Sequence, residues 1–401
     1  MTVTDRGLFG AVPEAIAELR NVATVRLRCA EVLAFVRAGD SPHFRLAETR
    51  AAEVVERIAS ITAARFPDLN VPYHSRWRHF SDRVPELSPA ARIDLAVVSV
   101  LLDAGAGPAW SYRDEAGLTL TRSEGLAIAS LDAFLAGRFS AYPDDPYRVD
   151  AAALASLDTS DLAVLFQVAE TNPLVGLDGR ALLLHRLAAA LQTHPDVFDG
   201  RPGGLFAALT QHQNTVAAGD ILRALLDGLS PIWPSGQALD VDGQSWPLGD
   251  VWDHPTGPVP FHKLSQWLTY SLIEPFEWAG VEVTGLDELT GLPEYRNGGL
   301  LLDAGLIVPR AADWATAELT PAEPWVIEWR ALTVALLDAL APLVRDRLAA
   351  GRPDPLADRA RSLPLAALLE GGSWTAGRII AAELRPGGGP PVTIVSDGTV
   401  F

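Results

Sequence analysis

Two stretches carry side chains that could work together on a small anionic substrate. In PFHKLSQWLTYSLIEPFEWAG, from Pro260, the residues Lys263, Gln266, Trp267 and Tyr270 recur at three and four spacing. At about 100° per residue a helix starting at Pro260 shows these four on one side and Phe261, Leu264, Leu268 and Leu272 on the other. An ammonium, an amide and a phenol over two turns can clasp a phosphate or polyol, although a solvated face with a stray aromatic has the same pattern. The aromatic content favours a pocket wall. Further on, LTGLPEYRNGGLLLDAGLI sets Glu294, Tyr295 and Arg296 between Pro293 and Gly298-Gly299. That is loop or helix-edge context, where the backbone can approach a ligand closely. Glu294 is the leading catalytic carboxylate, with a structural ion pair to Arg296 as its competing role.

Other polar groups cluster upstream. In RIDLAVVSVLLDAG, Arg92, Ser99 and Asp103 share a helix face, and Asp103 precedes a Gly-Ala-Gly break. The segment VPYHSRWRHF, residues 71 to 80, offers Arg76, Arg78 and His79 to a phosphate or carboxylate and Trp77 to a flat group, or else forms a packing corner. Glu124 is explained by a capping box with Thr121. Asp250, Asp253 and His254 could assemble a carboxylate and imidazole site, though Asp-containing turns with proline read the same way. Asp103 and Asp250 are held as further catalytic candidates. The eight histidines include no H-x-H or H-E-x-x-H spacing, which points away from a protein-bound metal.

Helices must position these groups. Apolar residues at three and four spacing predict helices over 12–38, 46–66, 88–104, 122–137, 160–169, 178–193, 215–228, 260–273, 325–350 and 373–385. Ser88 with Pro89 reads as an N-cap with proline at the first helical position. A mainly α fold follows, as one domain over 1–401. It divides into an N-terminal helical part to about 85, a core over about 86–350 and an extension over 351–401. The ending PPVTIVSDGTVF, with Asp397-Gly398, suggests a terminal β-hairpin, and PGGGPP at 386–391 reads as a turn.

Among 401 residues, 48% are hydrophobic and 20% charged, enough for a large core, and the net charge of −18 disfavours nucleic acid polymers as partners. The single cysteine, Cys29, excludes an intrachain disulfide framework. With no leader-like N-terminus and no apolar run of membrane length, a cytoplasmic location away from membranes is expected.

Several long strings occur together in order: VPYHSRWRHF, RIDLAVVSVLLDAGAGPAW, RSEGLAIAS, NPLVGLDGR, PFHKLSQWLTYSLIEP, LTGLPEYRNGGLLLD, EWRALTVALLD, LLEGGSWTAGR and SDGTVF. They resemble the uracil catabolism protein 4 family (domain of unknown function 1688) over nearly the whole chain. A more distant similarity is to queuosine salvage proteins, which carry a K-x-x-Q helix, an L-T…D-Y-R unit and an upstream L-D…F-W segment. The counterparts look like Lys263 and Gln266, then Leu289, Thr290, Glu294, Tyr295 and Arg296, with Leu102, Asp103 and Trp110 upstream. This resemblance implies a fold akin to helix-hairpin-helix DNA glycosylases and cleavage of an N-glycosidic bond. It would place Lys263 near a 5′-phosphate and the acidic residue of E-Y-R beside the anomeric carbon. Here glutamate replaces aspartate, and Asn297-Gly298-Gly299 departs from the salvage pattern.

The expected reaction is hydrolysis of a ribosylurea 5′-phosphate or related nucleotide to urea and ribose 5-phosphate, with no cofactor required. An amidohydrolase acting on the ureido C–N bond and a non-catalytic binding or scaffold protein are the alternatives.

Overall fold

Helix-forming sequence dominates, and the computed structural model is mainly α, with short strands paired two at a time. It describes residues 8–395 except 75, 81, 82, 85, 104, 108, 212 and 234–236; of Arg78 and His79 it describes the backbone only. Eight helices build and brace the site. They are α1 (Val22–Ala38), α2 (Ala51–Arg65), α3 (Pro89–Leu101), α4 (Arg122–Leu135), α5 (Lys263–Trp278), α6 (Tyr295–Asp303), α7 (Pro324–Ala349) and α8 (Trp374–Leu384). No helix among the described residues is long and apolar enough to cross a membrane.

The N-terminal half of α7 is buried all round, from Trp325 to Leu337, as expected of a helix apolar on every face. It packs against α1, α2 and α6. The same holds for α3, where every residue from Ile93 to Leu101 is buried, between α5 and α4. One continuous hydrophobic cluster runs from Val22 to Val392, with Ile16, Leu19, Leu248 and Val251 forming a small satellite.

Glycines set the closest approaches. A Cβ at Gly377 of α8 would lie 2.2 Å from the Arg296 carbonyl oxygen, and one at Gly298 of α6 would lie 2.7 Å from the Trp329 indole of α7. These gaps let α6 seat between its neighbours. A π-helical turn over Leu369–Ser373 precedes α8, and its Ser373 hydroxyl donates to Asn297 Oδ1 at 2.7 Å. The Gly-Gly of LLEGGSWTAGR is therefore a packing device: a Cβ at Gly372 would overlap Thr62 and Ile58 of α2.

Sequence signals and structure agree at Ser88, which caps α3 by accepting from the Ala91 amide ahead of Pro89. They differ elsewhere: the helix expected over 12–38 breaks at Arg20–Asn21, and the one expected over 215–228 opens with the strand Thr215–Ala217. The helix expected from Pro260 begins at Lys263, because Val259–Pro260 pairs with Val251–Trp252 as a strand, and it runs on to Trp278. The capping box at Thr121 does not form; Glu124 pairs with Arg378 instead. The C-terminal strand Thr393–Ile394 runs parallel to Glu318–Leu319, so its partner lies on a distant segment, and the Asp397-Gly398 turn falls outside the described residues.

Glu274, buried near the end of α5, accepts from the Tyr73 amide at 3.2 Å. Burial pushes its carboxyl up to about 8, and the nearby Glu277 and Glu370 push the same way. A carboxyl whose folded pKa exceeds its unfolded value costs nothing below the unfolded value near 4.5 and destabilises progressively as pH rises to about 8. Glu274→Gln should therefore melt with wild type near pH 4.5 and gain on it towards pH 8 in a pH series of thermal unfolding. A difference independent of pH would refute this reading.

Candidate active-site cavity

The start of α5 is fixed from outside the helix by Asp250. Its Oδ2 accepts the Lys263 amide at 3.0 Å, and Arg330 of α7 closes on both oxygens at 2.7 Å each. Trp252 Nε1 adds a bond to Oδ1 at 2.6 Å. Burial alone would raise this carboxyl, but the Arg330 guanidinium and the other donors outweigh it and hold it below the ordinary aspartate value. The preceding residue, His262, sits in the left-handed region at φ +47° and is tied by Nε2 to the Leu19 carbonyl at 2.7 Å.

The polar side of α5 then divides. Lys263 and Trp267 line a cavity, the ammonium 5.1 Å from the centre of the Trp267 indole ring. Burial brings the lysine down to about 8, against the pull of Glu294, Asp250 and Asp103. Gln266 and Tyr270 instead grip the L-T unit. Gln266 Nε2 donates to Thr290 Oγ1 at 2.8 Å, its Oε1 accepts the Thr290 amide at 3.0 Å, and the Tyr270 hydroxyl donates to the Thr290 carbonyl at 2.7 Å. These two residues position the loop leading to Glu294 and do not line the cavity.

Glu294 is the N-cap of α6, its two oxygens each accepting one amide at 2.7 Å, from Arg296 and Asn297. This capping role was masked in sequence, where glutamate is not among the favoured caps. The same side chain lines the cavity. Its pKa is raised by burial, with Arg296, the two amides and Lys263 working in the opposite direction.

Asp103 follows α3 and meets Arg76, whose Nη2 donates to Oδ2 at 2.7 Å while Nη1 meets Ser99. Both members of this pair are buried. Asp103 Oδ1 is also buried and has no hydrogen-bond partner among the described residues. Desolvation raises the Asp103 carboxyl, and Arg76, Arg296 and Lys263 counter it. Arg180, from NPLVGLDGR, braces this corner with bonds to the Leu102 and Gly105 carbonyls at 3.1 and 3.3 Å. Arg92 does not join; it lies over Trp278. Trp110 is core, donating to the Phe166 carbonyl at 2.9 Å and packing where a Cβ on Gly125 of α4 would stand. Trp77 is core as well, donating to the Ser271 carbonyl.

The cavity has a volume of about 570 Å³. It gathers Arg76, Asp103, Lys263, Glu294, Tyr295 and Arg296 from segments remote in sequence. His74, Trp267 and Trp374 form an aromatic wall with ring centres 5.6 to 6.5 Å apart. Asp250 does not line it. Among the described residues, the donors around that carboxylate are all fixed protein groups, and they tie it to the start of α5 and to α7. Asp253 and His254 have separate partners, Gln237 and Thr256. The side chains of Arg78 and His79 lie outside the described residues.

Several lining residues were passed over in sequence: Arg122, Ser123, Arg378, Trp374 and the segment Gly389 to Ile394. Their signal lies in RSEG and SWTAGR and in the PGGGPP turn.

Comparison with known proteins bears on the whole chain. The model of a family described as Protein of unknown function (DUF1688) matches residues 18–401. The chain belongs to this family. It is 40% identical to Protein urg3 of Schizosaccharomyces pombe, over 97% of this chain and 99% of that protein. It is 36% identical to Uracil catabolism protein 4 of Lachancea kluyveri, over 97% of this chain and 100% of that one.

The positioning role of Asp250 in this family member can be measured without substrate. Asp250→Asn removes the buried carboxylate charge that Arg330 clamps, so urea unfolding should show a loss of about 3–5 kcal/mol. Wild-type stability in that variant would mean that the clamp does not hold the site.

Proposed function

We propose that this protein is a hydrolase of uracil catabolism that cleaves the N-glycosidic bond of a ribosylurea 5′-phosphate, releasing urea and ribose 5-phosphate, or of a related nucleotide, releasing its base and the same sugar phosphate. The observation that carries the reading is the convergence of two buried carboxylates, Asp103 and Glu294, with Lys263 and Arg296 on one cavity. The name of the Lachancea kluyveri relative supplies the pathway.

Charge development explains the arrangement. As the bond from C1′ to the ureido nitrogen breaks, its electron pair leaves with nitrogen and the sugar acquires oxocarbenium character. A fixed carboxylate stabilises that cation in a desolvated site more effectively than water does. Water then bonds to C1′, giving one proton to a carboxylate while the departing nitrogen takes one up. Glu294 suits the anomeric position because its two amide bonds hold it still. Asp103 suits the sugar hydroxyls, since its Oδ1 calls for a donor that the described chain does not supply. The aromatic wall of Trp267 and Trp374 offers apolar faces to the flat leaving group.

The test incubates wild type and Glu294→Gln with ribosylurea 5′-phosphate, uridine monophosphate and free ribosylurea, following ribose 5-phosphate by mass spectrometry. Wild type should release it from at least one phosphorylated substrate, and the variant should be slower by on the order of 10²–10⁴-fold. Loss of the cap should cost only about 1 kcal/mol, so the variant remains folded at assay temperature. No glycosidic cleavage by wild type on any member of the panel would refute the proposal.

A further inference from the structure

A second cavity of about 360 Å³ adjoins the first and shares with it Arg122, Ser123, Glu124, Tyr295, Arg296, Arg378, Gly389 and Pro390. Its walls hold four guanidiniums, from Arg122, Arg296, Arg378 and Arg385, against two carboxylates, Glu124 and Asp303. In a chain of net charge −18 this local excess of cations runs against the composition. Arg385 is spoken for, bound to both oxygens of Asp303 at 2.6 and 2.8 Å and to the Gly389 carbonyl. Arg378 makes one half-exposed contact with Glu124 at 3.3 Å. Arg122 gives one nitrogen to the Gly387 carbonyl at 2.9 Å.

Two further features mark this outer chamber. Arg122 stands at φ +55°, a left-handed conformation unfavourable for a residue with a Cβ, and it begins α4. The helix has no side-chain cap at Thr121, and Thr121, Arg122, Ser123 and Glu124 all line the chamber, so an uncapped N-terminus faces it. Inside the adjoining chamber stands the unpartnered Asp103 Oδ1.

We infer that the two chambers hold one sugar phosphate, with sugar hydroxyls at Asp103 and the phosphate monoester in the outer chamber between Arg122, Arg378 and the first turn of α4. This deepens the proposed function and rests on its sugar-binding part. It moves the phosphate away from Lys263, where the sequence resemblance would put it, and leaves that ammonium with Glu294 at the reacting end. Guanidiniums suit a phosphate because they bind its oxygens in pairs, and a helix N-terminus adds amide donors and positive potential.

Binding separates this inference from the reaction. Calorimetric titration of ribose 5-phosphate, ribose and inorganic phosphate into wild type, Arg122→Gly, Arg378→Gln and Lys263→Met requires no turnover. Arg122→Gly relieves the left-handed strain and Arg378 is half-exposed, so both variants should fold. Wild type should prefer ribose 5-phosphate over ribose by at least tenfold. Each arginine variant should lose most of that preference, whereas Lys263→Met should keep it. Inorganic phosphate should bind wild type and compete with ribose 5-phosphate, and both arginine variants should weaken it. The inference is overturned if wild type shows no preference, if both arginine variants keep it, or if it disappears in Lys263→Met alone. If the preference follows the arginines but no substrate is cleaved, the phosphate site stands and the proposed reaction falls.

Discussion

The site depends on one buried ion pair. Asp250 and Arg330 meet through two bonds of 2.7 Å, and the same carboxylate receives the Lys263 amide that opens α5. Arg330 belongs to the buried half of α7, the helix against which α1, α2 and α6 all pack. The pair therefore joins the hydrophobic scaffold to the first turn of the helix that carries the cavity lysine. Taking two charges out of water is expensive and is offset only where geometry is good and remaining lone pairs are filled. Here Trp252 and the α5 amide fill them.

Fixed from that point, the remaining polar groups fall into two kinds. Gln266, Tyr270, Arg180 and Ser373 have partners within the protein and hold loops in place. Asp103, Glu294, Lys263 and Arg296 surround a cavity, and burial shifts the two carboxyls up and the lysine down. A chain gains no stability from collecting partly compensated charges around a void. In the proposed reaction their cost is understandable as preorganisation: groups already desolvated and oriented would need no rearrangement as charge developed on the sugar. The two non-glycine residues in left-handed conformations that border helices of the site, His262 and Arg122, fit the same pattern of local strain near function.

Much of this was legible in sequence because helix periodicity and rare polar clusters are local signals. The polar stripe of α5 and Glu294 with Arg296 stand out there, as do Arg76 and Asp103, though as members of separate clusters whose pairing only the structure shows. Which half of the α5 stripe faced the cavity was not, since Gln266 and Lys263 lie on the same side of a helical wheel and only the docking of Thr290 separates them. Trp110 and Asp250 looked like site residues because scaffold positions next to a site carry the same unusual residue types. The capping box at Thr121 failed for a tertiary reason, as Arg378 from more than 250 residues away takes Glu124. A long-range pairing also hid the C-terminal segment, whose Thr393–Ile394 strand closes one wall by pairing with Glu318–Leu319.

The most direct measurement is a crystal structure of the Glu294→Gln protein with ribosylurea 5′-phosphate bound. The ligand is expected to span both chambers, with C1′ beside residue 294, a hydroxyl donating to Asp103 Oδ1 and the phosphate against Arg122 and Arg378. A ligand lying outside the cavity lined by Asp103 and Glu294, or one whose anomeric carbon faces away from both carboxylates, would contradict that assignment.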